Sequence, residues 1–206
     1  MKHYAALLLA LSVPLDLPAA KLLNGNLDNW EVIGDGIWMV LRDGVLVGQR
    51  DLKKAENQSW LYTKKNDYGE FDLHLEWWTR ADGNSGVSIR DTSRAQYAVG
   101  AGHDPQRTPA HIGYEIQISN GDGDEYPTGS VYLFAKAKAD VQHDFDWNSL
   151  DIESRNNLIR VKLNGQVVAE YPGEPDRPKA GPIGLQLHDH TALAMFRNIR
   201  IQEVGK

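Results

Sequence analysis

Residues 71–78 alternate without a break, with Phe71, Leu73, Leu75 and Trp77 on one side and Asp72, His74, Glu76 and Trp78 on the other. A period of two belongs to an extended strand with one buried face, because successive side chains point to opposite sides. The same period runs through Tyr114-Glu115-Ile116-Gln117-Ile118, through Gly86-Val87-Ser88-Ile89-Arg90 and through Gly184-Leu185-Gln186-Leu187-His188. Turn signals separate such runs at short spacing. Asp43-Gly44 predicts one tight hairpin and Asn164-Gly165 another. No long segment carries a helical period. Short helices are expected at 135–141 and 52–58, and a long loop at 94–112 whose His103 or His111 reaches the rim of a groove. Many short antiparallel strands in one domain, residues 21–206, predict an all-β sandwich, jelly roll or barrel.

The first twenty residues read differently. Lys2 supplies a positive start, residues 5–13 an apolar stretch, and Leu17-Pro18-Ala19-Ala20 a small-residue end, the anatomy of a secretory signal peptide. Pro14 and Pro18 argue against a buried helix there. Export by a bacterium, to the periplasm or beyond, is the expectation. Composition narrows the rest. The 206 residues hold 22 Lys and Arg against 28 Asp and Glu, a net charge of −6 with no dense basic run, which argues against nucleic acid and anionic membranes as partners. There is no cysteine, so disulfides, thiolate catalysis, zinc–thiolate sites and a lipidated cysteine anchor are excluded.

Polar residues at period two on otherwise apolar strands are the candidate chemistry. Glu115 and Gln117 project together, away from Tyr114, Ile116 and Ile118; Gln186 and His188 do so opposite Leu185 and Leu187; Ser88 and Arg90 do so opposite Val87 and Ile89; and Glu76 shares a face with Trp78. Gly86 leaves a gap in that surface for a ligand ring or a neighbouring aromatic. Carboxylates, amides, an imidazole and an indole form the inventory of a sugar site, since amides and carboxylates bind hydroxyls and indole stacks on a pyranose face. Two metal readings are weaker. Asn120 to Glu125 lacks the glycine and the bidentate glutamate of a calcium loop, and His188-Asp189-His190 lacks a third ligand at a diagnostic spacing. Retaining β-glucanases of sandwich fold carry Glu-x-Asp-x-x-Glu on one strand, where this chain reads Glu115-Ile116-Gln117-Ile118-Ser119-Asn120. A nucleophile-plus-acid pair of carboxylates is therefore missing.

An ordered set of motifs resembles the 3-keto-disaccharide hydrolase domain family of bacteria. The set runs from Leu22-Leu23-Asn24-Gly25 and Leu27-Asp28-Asn29-Trp30 through Trp38, Asp43-Gly44-Val45-Leu46 and Tyr68-Gly69-Glu70-Phe71. It continues with Asn84-Ser85-Gly86, Gly113-Tyr114-Glu115 with Gln117, and Thr128-Gly129 up to Tyr132. It closes with Trp147-Asn148, Leu163-Asn164-Gly165, Gly184 to His188 and Phe196-Arg197-Asn198-Ile199-Arg200. The resemblance implies a concanavalin A-like jelly roll with a concave sugar-binding face. It also implies cleavage of glycosides whose 3-hydroxyl is a ketone, by loss of the C2 proton and elimination or hydrolysis at the anomeric carbon. One base, donors for the enolate oxygen and a proton source suffice for that chemistry, with no covalent nucleophile and no required cofactor. Glu115 or His188 is the candidate base and Arg90 the candidate enolate stabiliser, a role open to a divalent metal instead. Gln117, Gln186 and Tyr132 are the candidates for orienting sugar hydroxyls, with Glu76, Trp78 and Ser88 as further contacts. A small saccharide or glycoside is the expected partner. The alternative is a non-catalytic, lectin-like carbohydrate-binding module on the same fold.

Overall fold

The computed structural model describes residues 19–53, 56–121 and 123–204; the signal-peptide reading falls almost wholly outside them. The described residues form two antiparallel sheets. The larger runs, edge to edge, β11 (Gln166–Tyr171), β10 (Leu158–Leu163), β9 (Asn148–Arg155), β6 (Phe71–Thr79), β13 (Leu193–Glu203), β4 (Leu46–Arg50) and β3 (Gly36–Val40), with β1 (Ala20–Lys21) paired to the far half of β13. The smaller runs β2 (Trp30–Ile33), β5 (Ser59–Thr63), β12 (Ile183–Leu187), β7 (Asn84–Ile89) and β8 (Tyr114–Ser119). One apolar core fills the space between them, with Phe71, Leu73, Leu75 and Trp77 from β6 facing Ile116 and Ile118 from β8, Val87 and Ile89 from β7, and Leu185 and Leu187 from β12. The expected alternation is thus the observed one, and the architecture is the jelly-roll sandwich. Both hairpins form as read; Asn164 and Gly165 sit at φ +49° and +80°, the left-handed pair that a two-residue turn between twisted strands requires.

The two expected short helices are absent from the described residues. In 135–141, Ala135, Ala137, Ala139 and Val141 all pack on the core, a period of two, and the segment lies extended with Lys138 donating to the Val168 carbonyl. At 52–58, of which residues 54 and 55 lie outside the described set, the Asp51 carboxylate accepts from the Lys53 amide. Asn57 turns to φ +55° and Arg50 binds the Asn57 carbonyl. Local side-chain bonds compete there with a helical ladder. Among the described residues the only α-helical turn, α1 (Pro109–Ile112), lies inside the expected long loop, as does a 3-10 turn at Gly100–Gly102. Among the described residues no helix is long and apolar enough to cross a membrane.

Candidate functional site

The outer face of the smaller sheet carries the site. Register places Glu115 beside Ser88 and Gln117 beside Gly86. On the other side of β7, Gly184 stands beside Ser88, so the next outward residue of β12, Gln186, flanks Gly86. Directly paired residues share a face, and these side chains therefore converge. Gly86 is the clearance that permits it. A Cβ at that position would lie 2.6 Å from Glu115 Oε1, so the gap expected to take a ligand ring is occupied by the Glu115 carboxyl.

The connection between β7 and β8 folds back over this face as a strap. Its anchor is Asp91, fully buried, whose carboxylate accepts the Tyr62 hydroxyl (2.8 Å), the amides of Ser93 and Ala95 and the Ser93 hydroxyl. The Tyr62 hydroxyl also lies 3.1 Å from Ser88 Oγ. Trp60 and Tyr62, both outward on β5, stack at 5.8 Å and are covered by Ala95 and Ala98 of the strap. Half of the sheet face is thereby sealed. The other half remains a cavity of ≈ 120 Å³. Its floor is Asn84, Glu115, Gln117 and Gln186; Pro105, Thr108 and His111 of the strap form one wall, and Gln58, Tyr132 and His188 complete the rim.

Glu115 is 5% exposed and no cation pairs with it among the described residues. Burial raises its pKa to about 8; the Gln186 amide offsets part of the rise and the charge of Asp91 adds to it. Gln186 is fully buried, yet neither its Nε2 nor its Oε1 has a partner of good hydrogen-bond geometry. A buried primary amide left unpaired is costly, so this one is a donor and acceptor held ready in the cavity. The imidazoles shift the other way. Partial enclosure lowers the His188 pKa, Asp189 opposes that and the Arg50 guanidinium reinforces it. Enclosure also lowers His111, with Arg177 adding to the effect and Asp104 opposing it. Thr108 Oγ1 fixes the His111 ring through Nδ1 at 2.8 Å. Enclosure raises the Tyr132 hydroxyl, and the Glu115 charge adds to it.

The structure brings together five of the nine expected side chains: Glu115, Gln117, Gln186, His188 and Tyr132. Four go elsewhere. β7 ends at Ile89 and Arg90 takes φ +58°, which breaks the alternation. Its buried guanidinium binds Ser154 Oγ (2.7 Å) and Asn157 Oδ1 (2.9 Å) rather than the cavity. Ser88 lies beneath the strap as the partner of Tyr62. Glu76 and Trp78 belong to β6 of the larger sheet, on the opposite side of the sandwich, where Glu76 is engaged by Arg197 and Asn198. Of the two strap imidazoles, His111 lines the cavity and His103 does not. Gln58, Asn84 and Thr108 were not expected; Thr108-Pro109 is the signature of a helix start and is the one local signal that could have marked the wall. Among the described residues no three His, Asp or Glu side chains converge as metal ligands. Asp122 of the calcium-like string lies outside the described residues.

A two-sheet sandwich with a polar cavity on one outer face is the form of sugar-handling jelly rolls. A Parabacteroides distasonis protein proposed to be a glycosyl hydrolase is 26% identical with a TM-score of 0.68, over 90% of this chain and 99% of that one. A carbohydrate binding module from Bacillus subtilis is 15% identical with a TM-score of 0.58, over 86% and 98%. The Lotus tetragonolobus seed lectin is 10% identical with a TM-score of 0.58, over 87% and 95%. No curated protein matches the sequence. The model of the 3-keto-alpha-glucoside-1,2-lyase-like domain matches residues 18–202, and the chain belongs to that family.

Proposed function

We propose that the protein cleaves 3-keto-glycosides by eliminating the anomeric substituent across C1 and C2. One observation carries the reading: one cavity is lined both by the buried Glu115 carboxyl, whose pKa burial raises to about 8, and by the His188 imidazole, whose pKa is lowered. Groups pushed apart in this way divide into acid and base. His188 removes the C2 proton, which the neighbouring ketone makes acidic. The C1–O bond then breaks as the C1–C2 double bond forms. Glu115 delivers its proton to the departing oxygen, and the products are the free aglycone alcohol and an unsaturated 3-keto sugar. Water adding to that enone yields the hydrolysis product. The developing enolate oxygen needs donors, and the Nε2 groups of Gln186 and Gln117 supply them in place of Arg90, whose guanidinium is committed to Ser154 and Asn157. The missing second carboxylate is no obstacle, because no glycosyl–enzyme bond forms.

The test is mass spectrometry of a 3-keto-α-glucoside incubated with the purified protein in D₂O. Release of the aglycone with an enone, and deuterium at C2 of recovered substrate or product, is the expected result. Binding of the sugar without turnover or exchange would establish a carbohydrate-binding module instead.

A further inference from the structure

We infer that Arg50, which does not line the cavity, is the positioning residue for its base: the guanidinium clamps the chain at His188 and Gln58 and so aims the imidazole at the sugar. The inference rests on the proposed elimination, in which His188 takes the C2 proton. Arg50 ends β4 of the larger sheet, at the inward parity of Leu46 and Gly48, and is 1% exposed. A full charge at a core position is costly, and even a paired one is often no better than an apolar side chain of the same size. Its partners show what this one holds. Nε lies 2.8 Å from Asp35 Oδ1. The rest of the fork meets only carbonyls. Nη1 donates toward those of Asn57 (2.7 Å), Leu187 (3.2 Å), His188 (3.3 Å) and Asp189 (3.5 Å), and Nη2 toward that of Glu56 (3.4 Å). Nη1 has two hydrogens for four oxygens, so the bonds are shared and several peptide dipoles turn toward one charge.

Those carbonyls stand where the smaller sheet stops. The ladder between β12 and β5 ends with Leu187 beside Ser59. Continuing that register sets His188 beside Gln58, and both line the cavity rim. Past the ladder the His188 amide makes only a long bond, 3.4 Å, to the Asn84 carbonyl. The guanidinium grips the chain around this open pair, at Glu56 and Asn57 on one side and at Leu187, His188 and Asp189 on the other. It substitutes for the next rung of the sheet and keeps both side chains on the outward parity of Gln186 and Trp60. Asp35 steadies the fork from behind, and its other oxygen accepts the Glu56 amide at 3.2 Å.

Charge acts with the geometry. Partial enclosure lowers the His188 pKa; Asp189 and Asp124 oppose that, and Arg50 and His103 add to it. Glu115, Tyr132 and His111 are the titratable groups that share the cavity with it. Of these neighbours Arg50 alone both binds the His188 carbonyl and favours the neutral, proton-accepting imidazole. One buried cation thereby fixes where the base stands and supports the form in which it works.

Two variants separate the two effects. Arg50→Lys keeps the charge and loses the fork, whereas Arg50→Gln loses the charge. On a 3-keto-glucoside kcat should fall ~10-fold or more in both, with KM within about twofold of the wild type, because Glu115, Gln117 and Gln186 are held by the ladders. In Arg50→Gln alone, the rising limb of the pH profile should move to higher pH. The His188 titration should move with it, read by imidazole NMR against the spectrum of His188→Gln. A merely structural role would lower the folded fraction and move neither. Wild-type kcat in Arg50→Lys, or an unmoved His188 titration in folded Arg50→Gln, overturns the proposal. So does failure of both variants to fold, which would assign Arg50 to the sandwich alone. A wild-type protein that releases no aglycone sinks the elimination instead, and the His188 titration still reads the influence of Arg50.

Discussion

Glu115→Gln isolates the cost of the buried carboxyl. Below about pH 4.5 the group is protonated in both the folded and unfolded chain and its ionisation has no effect on stability. From there to about pH 8 the unfolded chain releases a proton that the native protein keeps, so native stability falls as pH rises. Above about 8 both forms are ionised and the cost is constant. The interval of about 3.5 pH units, at about 1.4 kcal/mol per unit, sets a ceiling of ~5 kcal/mol. Glutamine keeps the shape and carries no charge to desolvate, and all other titrations are shared and cancel in the difference. Urea melts of both proteins at steps from pH 4 to pH 9 should therefore diverge, with the variant gaining at least ~2 kcal/mol on the wild type by pH 8. A difference that stays flat across that range would refute the reasoning, because it would mean that Glu115 ionises in the native state as it does in water.

Turnover should follow a bell against pH, rising as His188 loses its proton below the ordinary histidine range and falling as Glu115 ionises near 8; Glu115→Gln should remove the falling limb along with ~10²-fold or more of the rate, read in kcat on a 3-keto-glucoside. Gly86→Ala should cost only about 1 kcal/mol in a thermal melt, since the clash is with the mobile end of Glu115, yet depress kcat well beyond its effect on KM because the carboxyl must move. Asp91→Asn leaves the Tyr62 hydroxyl and the strap amides short of an acceptor and should cost ~2–4 kcal/mol, with faster hydrogen exchange across 92–112 than across β7 and β8. Export, proposed from the apolar leader, predicts that mature protein from a bacterial periplasm begins at Lys21, which N-terminal sequencing reads directly.

The sandwich was legible because its strands alternate, and alternation alone decides which side chains enter the core. The same rule found Glu115, Gln117, Gln186 and His188, each one step from a core residue on the smaller sheet. It failed where parity stops carrying information. Glu76 and Trp78 alternate as cleanly as Glu115 does, but which sheet a strand joins depends on long-range pairing that no local pattern states. Arg90 lies one residue past its strand, where a left-handed φ reverses the side chain. At 135–141 the alternating small residues Ala135, Ala137 and Ala139 were compatible with a helix on propensity and with an extended strip on period, and packing against the core chose the second. Gln58 and the strap wall reach the cavity only through tertiary folding of a long connection.

That connection leaves and rejoins the sheet at neighbouring positions, since Ile89 pairs directly with Tyr114. A segment tethered this way can lengthen or shorten without displacing either strand, and doubling a flexible loop adds only about 0.6 kcal/mol of closure entropy. The floor of the cavity and the wall that limits what can enter it are thus separable in inheritance. A change in the strap would reshape the cavity while the carboxyl, the two amides and the imidazole stay where they are. The same division gives an engineer a place to insert residues: between Ala98 and Pro105, beyond the anchor and before the wall.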